Sequence, residues 1–169
     1  RDLHSFPTRR SSDLAIKARV DSGAKTSSIH AFNIQSFVRG GATWVSFEVH
    51  PLQRNRATVV RCEAPVVDRR LVKSSSGVSE RRYVIRTVVN FSDREWEIEL
   101  TLANRDSMGY RMLLGREAMM GRMLVDPAAS FVRGNILIDE IDTLYGRKEA
   151  APQGLKIGLL ASNPELYSN

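Results

Sequence analysis

The segment Glu95-Trp96-Glu97-Ile98-Glu99-Leu100-Thr101-Leu102 alternates without a break. Trp96, Ile98, Leu100 and Leu102 fall on one face, and three glutamates with Thr101 fall on the other. A period of two fits a pleated strand and excludes an amphipathic helix, so one face is core and the other meets water. Arg82 to Phe91 repeats the pattern, with Tyr83, Ile85, Thr87, Val89 and Phe91 on one side. Phe91-Ser92-Asp93-Arg94 supplies the turn that joins the two as a hairpin. Thr43–Val49 and Ala57–Cys62 predict a second pair around the loop from His50-Pro51-Leu52 to Arg56, and Asn135–Ile138 predicts a last strand. Helix is scarce: Arg116–Arg122, beginning after Gly115, is the best candidate. The expectation is a mainly β fold, a small and mostly antiparallel closed barrel with one short helix. Trp44 and Trp96 are assigned to its core.

Four stretches divide the chain. Residues 1–14 include His4-Ser5-Phe6-Pro7-Thr8-Arg9-Arg10-Ser11-Ser12-Asp13-Leu14, which resembles a translated sequencing adapter; they are set aside as an artefact, not native. Residues 15–141 are about one domain long, enough to bury a core. Residues 142–154, with Pro152 and Gly154, read as a linker. Residues 155–169 open with the apolar run Leu155–Ala161, the truncated start of another domain. No apolar run reaches the roughly 18 residues of a membrane span, so no membrane association is expected. Cys62 is the single cysteine and cannot form an internal disulfide, which fits a reducing, cytoplasmic setting. Between Ala15 and Gly134 there are 19 Lys and Arg against 12 Asp and Glu. Such a balance favours anionic partners, although an ordinary soluble surface carries similar charge.

Chemistry concentrates at Asp21-Ser22-Gly23-Ala24, directly after the apolar strand Ile16–Val20. A carboxylate at the end of a buried strand, a small hydroxyl beside it and a glycine that lets the chain turn tightly form the loop of an aspartic peptidase. A retroviral-type peptidase needs a second piece: an apolar strand ending in glycine, followed by a short helix, which supports the loop. Met112-Leu113-Leu114-Gly115-Arg116 lies about ninety residues later, in the right order. Asp21, Ser22 and Gly23 are therefore the catalytic candidates, and Ala24, Thr26, Leu114 and Gly115 the loop supports. Two nearby carboxylates cannot both ionise cheaply, so one serves as base toward a bridging water while the other donates a proton. One Asp-Ser-Gly per chain predicts a homodimer that brings two copies of Asp21 together.

The run Ala18-Arg19-Val20-Asp21-Ser22-Gly23-Ala24-Lys25-Thr26-Ser27-Ser28-Ile29-His30-Ala31 resembles the signature of a retropepsin-like bacterial family called ATP-dependent zinc proteases, of RimB type. So do Asp68–Gly77, Glu80–Ile85 and Met112–Met119, and the likeness covers Ala15 to about Ile138. The tail from Leu155 to Ser168 resembles the opening of RimK-type ATP-grasp ligases, which add glutamates to the C-terminus of a ribosomal protein. The resemblance implies a retropepsin-like peptidase domain at 15–141 joined to a glutamate ligase, of which only the start is present. It also implies an acidic peptide substrate, poly-α-glutamate or a glutamylated tail.

The zinc in the family's label finds no ligands. Beyond the first fourteen residues there are only His30, His50 and Cys62, with no His-Glu-x-x-His and no paired Cys-x-x-Cys, so no metal and no cofactor is expected. ATP dependence belongs to the ligase. Lys25, His30, Lys73, Arg81 and Arg82 are candidates for holding acidic side chains, the last three beside the Ser/Gly-rich stretch where a mobile flap is expected. Each could equally be a solvated surface charge, and Ser22 and Thr26 could brace the loop or serve as a generic polar turn. Two rival readings are a binding module that presents glutamylated tails to a fused ligase, and an RNA- or ribosome-associating domain. An intact Asp-Ser-Gly weighs against the first, and nucleic acid ranks below acidic peptide.

Overall fold

The computed structural model describes residues 13–52, 55–74, 76–91, 94–104, 109–129 and 156–162. Among the described residues, nine strands and one short helix follow in order: β1 Asp13–Asp21, β2 Ser27–His30, β3 Phe32–Arg39, β4 Ala42–Val49, β5 Val60–Lys73, β6 Ser79–Phe91, β7 Arg94–Ala103, β8 Met112–Gly115, α1 Arg116–Met119 and β9 Lys156–Ser162. The fold is mainly β, as expected. Strands lie in the order β3-β4-β5-β6-β7-β2-β8-β1-β9, and β9 also pairs with β6.

The alternating segments become β6 and β7, joined antiparallel with Ile85 opposite Leu100, Thr87 opposite Ile98 and Val89 opposite Trp96. All six side chains are buried. The core-facing halves of both strands were therefore legible in their period. Trp96 donates its indole N–H to the Ala118 carbonyl at 2.9 Å, which satisfies the one polar group this ring carries into the core. Trp44 is only half-buried, with the Arg39 guanidinium 4.7 Å above its ring.

The pair β4–β5 forms antiparallel, with Val49 opposite Val60 and Phe47 opposite Cys62. β5 continues well beyond the predicted strand end at Cys62. After a bulge between Val66 and Asp68 it pairs with β6 alone, from Asp68 opposite Val84 to Lys73 opposite Ser79. This arm closes through Gly77, at φ 84°, where Ser74 donates to the Val78 carbonyl at 2.8 Å. The sequence reading did not identify β3. Its hairpin with β4 turns on Gly40 and Gly41, at φ 58° and 77°, the conformation that a two-residue hairpin turn demands of glycine.

β8 is buried at every position, since it lies between β1, to which it is parallel, and β2, to which it is antiparallel. α1 covers Arg116–Met119, shorter than the predicted Arg116–Arg122, and the chain turns away at Gly121, φ 69°. β1 begins at Asp13, and Leu14, which falls within the segment set aside above, is buried in the core. The apolar tail segment forms β9 and pairs in parallel with β1 from Asp13–Lys156 to Arg19–Ser162. The predicted strand Asn135–Ile138 lies outside the described residues. Among the described residues, no helix is long and apolar enough to cross a membrane.

Candidate active site

β1 and β8 run side by side and end together, with Val20 beside Leu114 and Asp21 beside Gly115. The chain leaves β1 in a tight loop and returns as β2 at Ser27. The Asp21 carboxylate builds that loop itself: Oδ1 accepts the N–H of Gly23 at 3.0 Å and of Ala24 at 3.1 Å. Among the described residues no donor engages Oδ2. A Cβ at Gly23 would stand 3.2 Å from Oδ1, a tight contact in which the carboxylate would have to give way by a few tenths of an ångström.

The loop's carbonyls are held from below. Arg116 N–H donates to Ala24 O at 2.8 Å and Glu117 N–H to Lys25 O at 3.2 Å, while the Arg116 guanidinium reaches Gly23 O at 3.2 Å. Gly115 lies so close beneath that a Cβ there would stand 2.6 Å from the Thr26 carbonyl carbon and 2.8 Å from its oxygen. Only glycine admits this approach. The Gly115 N–H donates to Ser27 Oγ at 3.0 Å, and Thr101 Oγ1 donates to Ser27 O at 3.1 Å. Both contacts are buried, so the start of β2 is pinned to β8 on one side and to β7 on the other.

Of the predicted supports, Ala24, Thr26, Leu114 and Gly115 meet at this floor through backbone contacts and packing. Among the described residues the hydroxyls of Ser22 and Thr26 make no hydrogen bond; Ser27 is the hydroxyl that braces the loop. The sequence reading missed Ser27. Nothing in its local pattern set it apart from Ser22 or Thr26; the fold buries it as the first residue of β2, where a hydroxyl must find a partner.

Lys25 is exposed and stands 3.7 Å from Glu117. With Thr26, Glu117 and Glu99 it lines a groove of about 570 Å³, whose opposite wall is Arg70, Leu71, Val72 and Lys73 of the arm. The loop and Lys73 are thus brought to one groove. Arg81 is exposed on the arm opposite Leu71, whereas Arg82 is engaged by Glu80 at 2.9 Å. Arg70 bonds Asp68 at 2.8 Å and Glu99 at 2.5 Å. These bonds raise the guanidinium's pKa, chiefly through Glu99, and Arg70 in turn holds the Asp68 carboxyl below its ordinary range.

His30 stands apart from this group. It is buried at the far end of β2, its N–H bonded to Arg111 O at 2.6 Å and its ring stacked with Phe32 and His50. It lies three positions beyond Ser27 along β2, about 10 Å of strand. Among the described residues the histidines and the cysteine do not form a set that fits a zinc ion. The His30 and His50 ring centroids are 6.3 Å apart in a stack, and burial pushes the Cys62 thiol up to about 12. Among the described residues no three His, Cys, Asp or Glu side chains converge on a common point.

The chain is 64% identical over 155 residues to a protein of Shewanella pealeana named "Probable alpha-L-glutamate ligase", covering 92% of the chain and 34% of that protein. Proteins of the same name from Desulfotalea psychrophila and Parasynechococcus marenigrum are 59% and 58% identical, with 92% of the chain and 33% of each relative covered. The chain spans about a third of the length of these curated relatives. The crystal structure of Lpg0085, a Legionella pneumophila protein described as of unknown function, superposes with a TM-score of 0.51 at 26% identity, covering 67% of this chain and 81% of that one. The profile of the RimB-like family, described as "Retropepsin-like aspartic endopeptidase RimB", matches residues 8–135. With more than half of its length matched, the chain belongs to the RimB-like family of retropepsin-like proteins.

Proposed function

We propose that this domain is an aspartic-type peptidase that hydrolyses acidic peptide chains, poly-α-glutamate or glutamylated protein tails, as a homodimer. The observation that carries this reading is the Asp21 loop. Its carboxylate uses Oδ1 to shape its own turn, and the floor of Ser27, Gly115 and Arg116 holds the turn in place. A rigid carboxylate of this kind can share a proton with its copy in a second chain.

In the reaction, one Asp21 takes a proton from a water held between the pair, and the water oxygen attacks the peptide carbonyl carbon. The other Asp21 gives its proton to the carbonyl oxygen. Collapse of the tetrahedral intermediate breaks the C–N bond, and the proton passes to the leaving amine. Lys25, Lys73 and Arg81 supply positive charge for acidic side chains at and beside the groove. A closed barrel is supported by β9, which pairs with both β1 and β6. The lone, buried Cys62 fits a cytoplasmic location.

The curated relatives bear a glutamate-ligase name, which supports a second reading: the domain binds glutamylated tails for a fused ligase without cutting them. Incubating the protein with oligoglutamates of α and γ linkage separates the two. Peptidase action predicts shorter products from the wild type and none from Asp21→Asn, with the dimer retained in sedimentation. Binding without cleavage by the wild type selects the second reading, and an active monomer refutes the dimeric mechanism.

A further inference from the structure

The arm formed by Asp68–Lys73 and Ser79–Tyr83 is two-faced in charge. Past the bulge, Asp68, Arg70, Glu80 and Arg82 project to one side, where Arg70 is bound by Asp68 and Glu99, and Arg82 by Glu80. Both acids of the arm are used on that side. The other side carries Arg69, Leu71 and Lys73 from β5, opposite Tyr83, Arg81 and Ser79 from β6. It continues the face that β6 turns to the core through Ile85, Thr87 and Val89, yet here the side chains are mostly exposed.

Arg69 lies 4.6 Å over the Tyr83 ring and donates to its hydroxyl at 3.3 Å, which holds this guanidinium flat against the strand. Among the described residues no carboxylate pairs with Lys73 or Arg81, and Leu71 is 69% exposed between them. Three cations with no acid among them therefore share one flat face, and Lys73 also borders the groove shared with Lys25. The positive face runs outward along the arm from that groove, where Glu99 and Glu117 also stand and Lys25 is paired with Glu117 at 3.7 Å.

We propose that this face is an extended docking track for an acidic peptide, holding the chain beyond the residues being cut, so that recognition strengthens with the length of the acidic run. The choice of an acidic peptide rests on the proposed function; the track itself rests on the separation of paired from unpaired cations. An extended peptide presents carboxylates every second residue at about 6–7 Å on one side, a spacing that matches alternate positions such as 69, 71 and 73 along a strand. Leu71 meets the aliphatic stems between those carboxylates.

The test measures binding of fluorescein-labelled oligo-α-glutamates, short and long, to the full chain carrying Asp21→Asn, so that the probe is held and not cut. The track predicts that affinity rises with probe length and falls with salt. Combining Lys73→Glu with Arg81→Glu removes the gain with length, weakening the long probe by at least about tenfold. The neutral pair Lys73→Gln and Arg81→Gln weakens it less. Arg61→Glu, a charge reversal elsewhere on β5, leaves it unchanged. Equal binding of long and short probes, or insensitivity to the reversals at 73 and 81, overturns the track. Tighter binding of a single-stranded RNA of equal charge also overturns it, in favour of a nucleic-acid surface. Cleavage by the wild type is scored separately: length-dependent binding without hydrolysis leaves the track standing and removes the peptidase reading.

Discussion

Asp21 and Gly115 stand side by side at the ends of two parallel strands, and the space a side chain would need at 115 is filled by the Thr26 backbone. The glycine is what lets the strand–helix corner press up against the Asp21 loop. Gly115→Ala places a Cβ 2.6 Å from a carbonyl carbon, so backbone must shift. The expected cost is about 1–3 kcal/mol in chemical denaturation, together with loss of hydrolysis, because the displaced atoms are those that support Asp21.

Asp21→Asn keeps the size of the side chain and an oxygen able to accept from Gly23 and Ala24. It removes the charge and the shared proton. Stability is expected to stay close to wild type while peptide hydrolysis disappears, as read by thermal unfolding beside a cleavage assay. Activity retained in this variant excludes the carboxylate mechanism.

Ser27→Ala leaves the buried Gly115 N–H without its acceptor. An unsatisfied buried donor costs about 1–3 kcal/mol, and Ser27→Thr, which keeps the hydroxyl, restores most of it. If Ser27 acted only as filler, alanine and threonine would differ little in denaturant midpoint.

The root of the arm is expected to respond to acid. Asp68 has its folded pKa lowered from 3.8, first by the Arg70 side chain and then by the Arg69 N–H. The sign follows: the carboxylate's contribution is present above the unfolded value and is lost as pH falls through the lower folded one. Asp68→Asn is therefore expected to lower stability near neutral pH, with the gap from wild type closing below about pH 3–4. Unfolding curves at several pH values check this, and a gap that widens in acid contradicts it.

The Cys62 thiol, pushed up to about 12 by burial, holds almost no thiolate at neutral pH. The folded protein should react with iodoacetamide far more slowly than the protein in denaturant, followed by mass spectrometry. Equal rates in both states place the thiol at the surface.

Much of the fold was readable because period and turn chemistry act locally. β6 and β7 declared their buried faces through alternation, and Gly115 declared itself by ending an apolar run before a helix. One local signal went unused, and one element gave none. Phe32–Arg39 leads into Gly40-Gly41, a hairpin turn written in the sequence. The length of β5 was hidden because its outer half is charged on both faces.

What the sequence by itself determined was the Asp21 turn at the end of an apolar strand and the glycine-ended strand that meets it, since both follow from residue type and near neighbours. Tertiary structure decided which polar groups serve that loop. Ser27 and Gly115 are 88 residues apart, and nothing in either local pattern reveals that one hydroxyl meets the other's N–H. Arg81 and Arg82 are adjacent and looked equivalent as cations for an acidic substrate. The bulge between Val66 and Asp68 shifts β5 by one residue, so that Leu71 and not Arg70 stands opposite Arg81 on the open face, while Arg82 is engaged by Glu80 along its own strand. A one-residue shift in a strand exchanges its two faces, and only the partner strand fixes that shift.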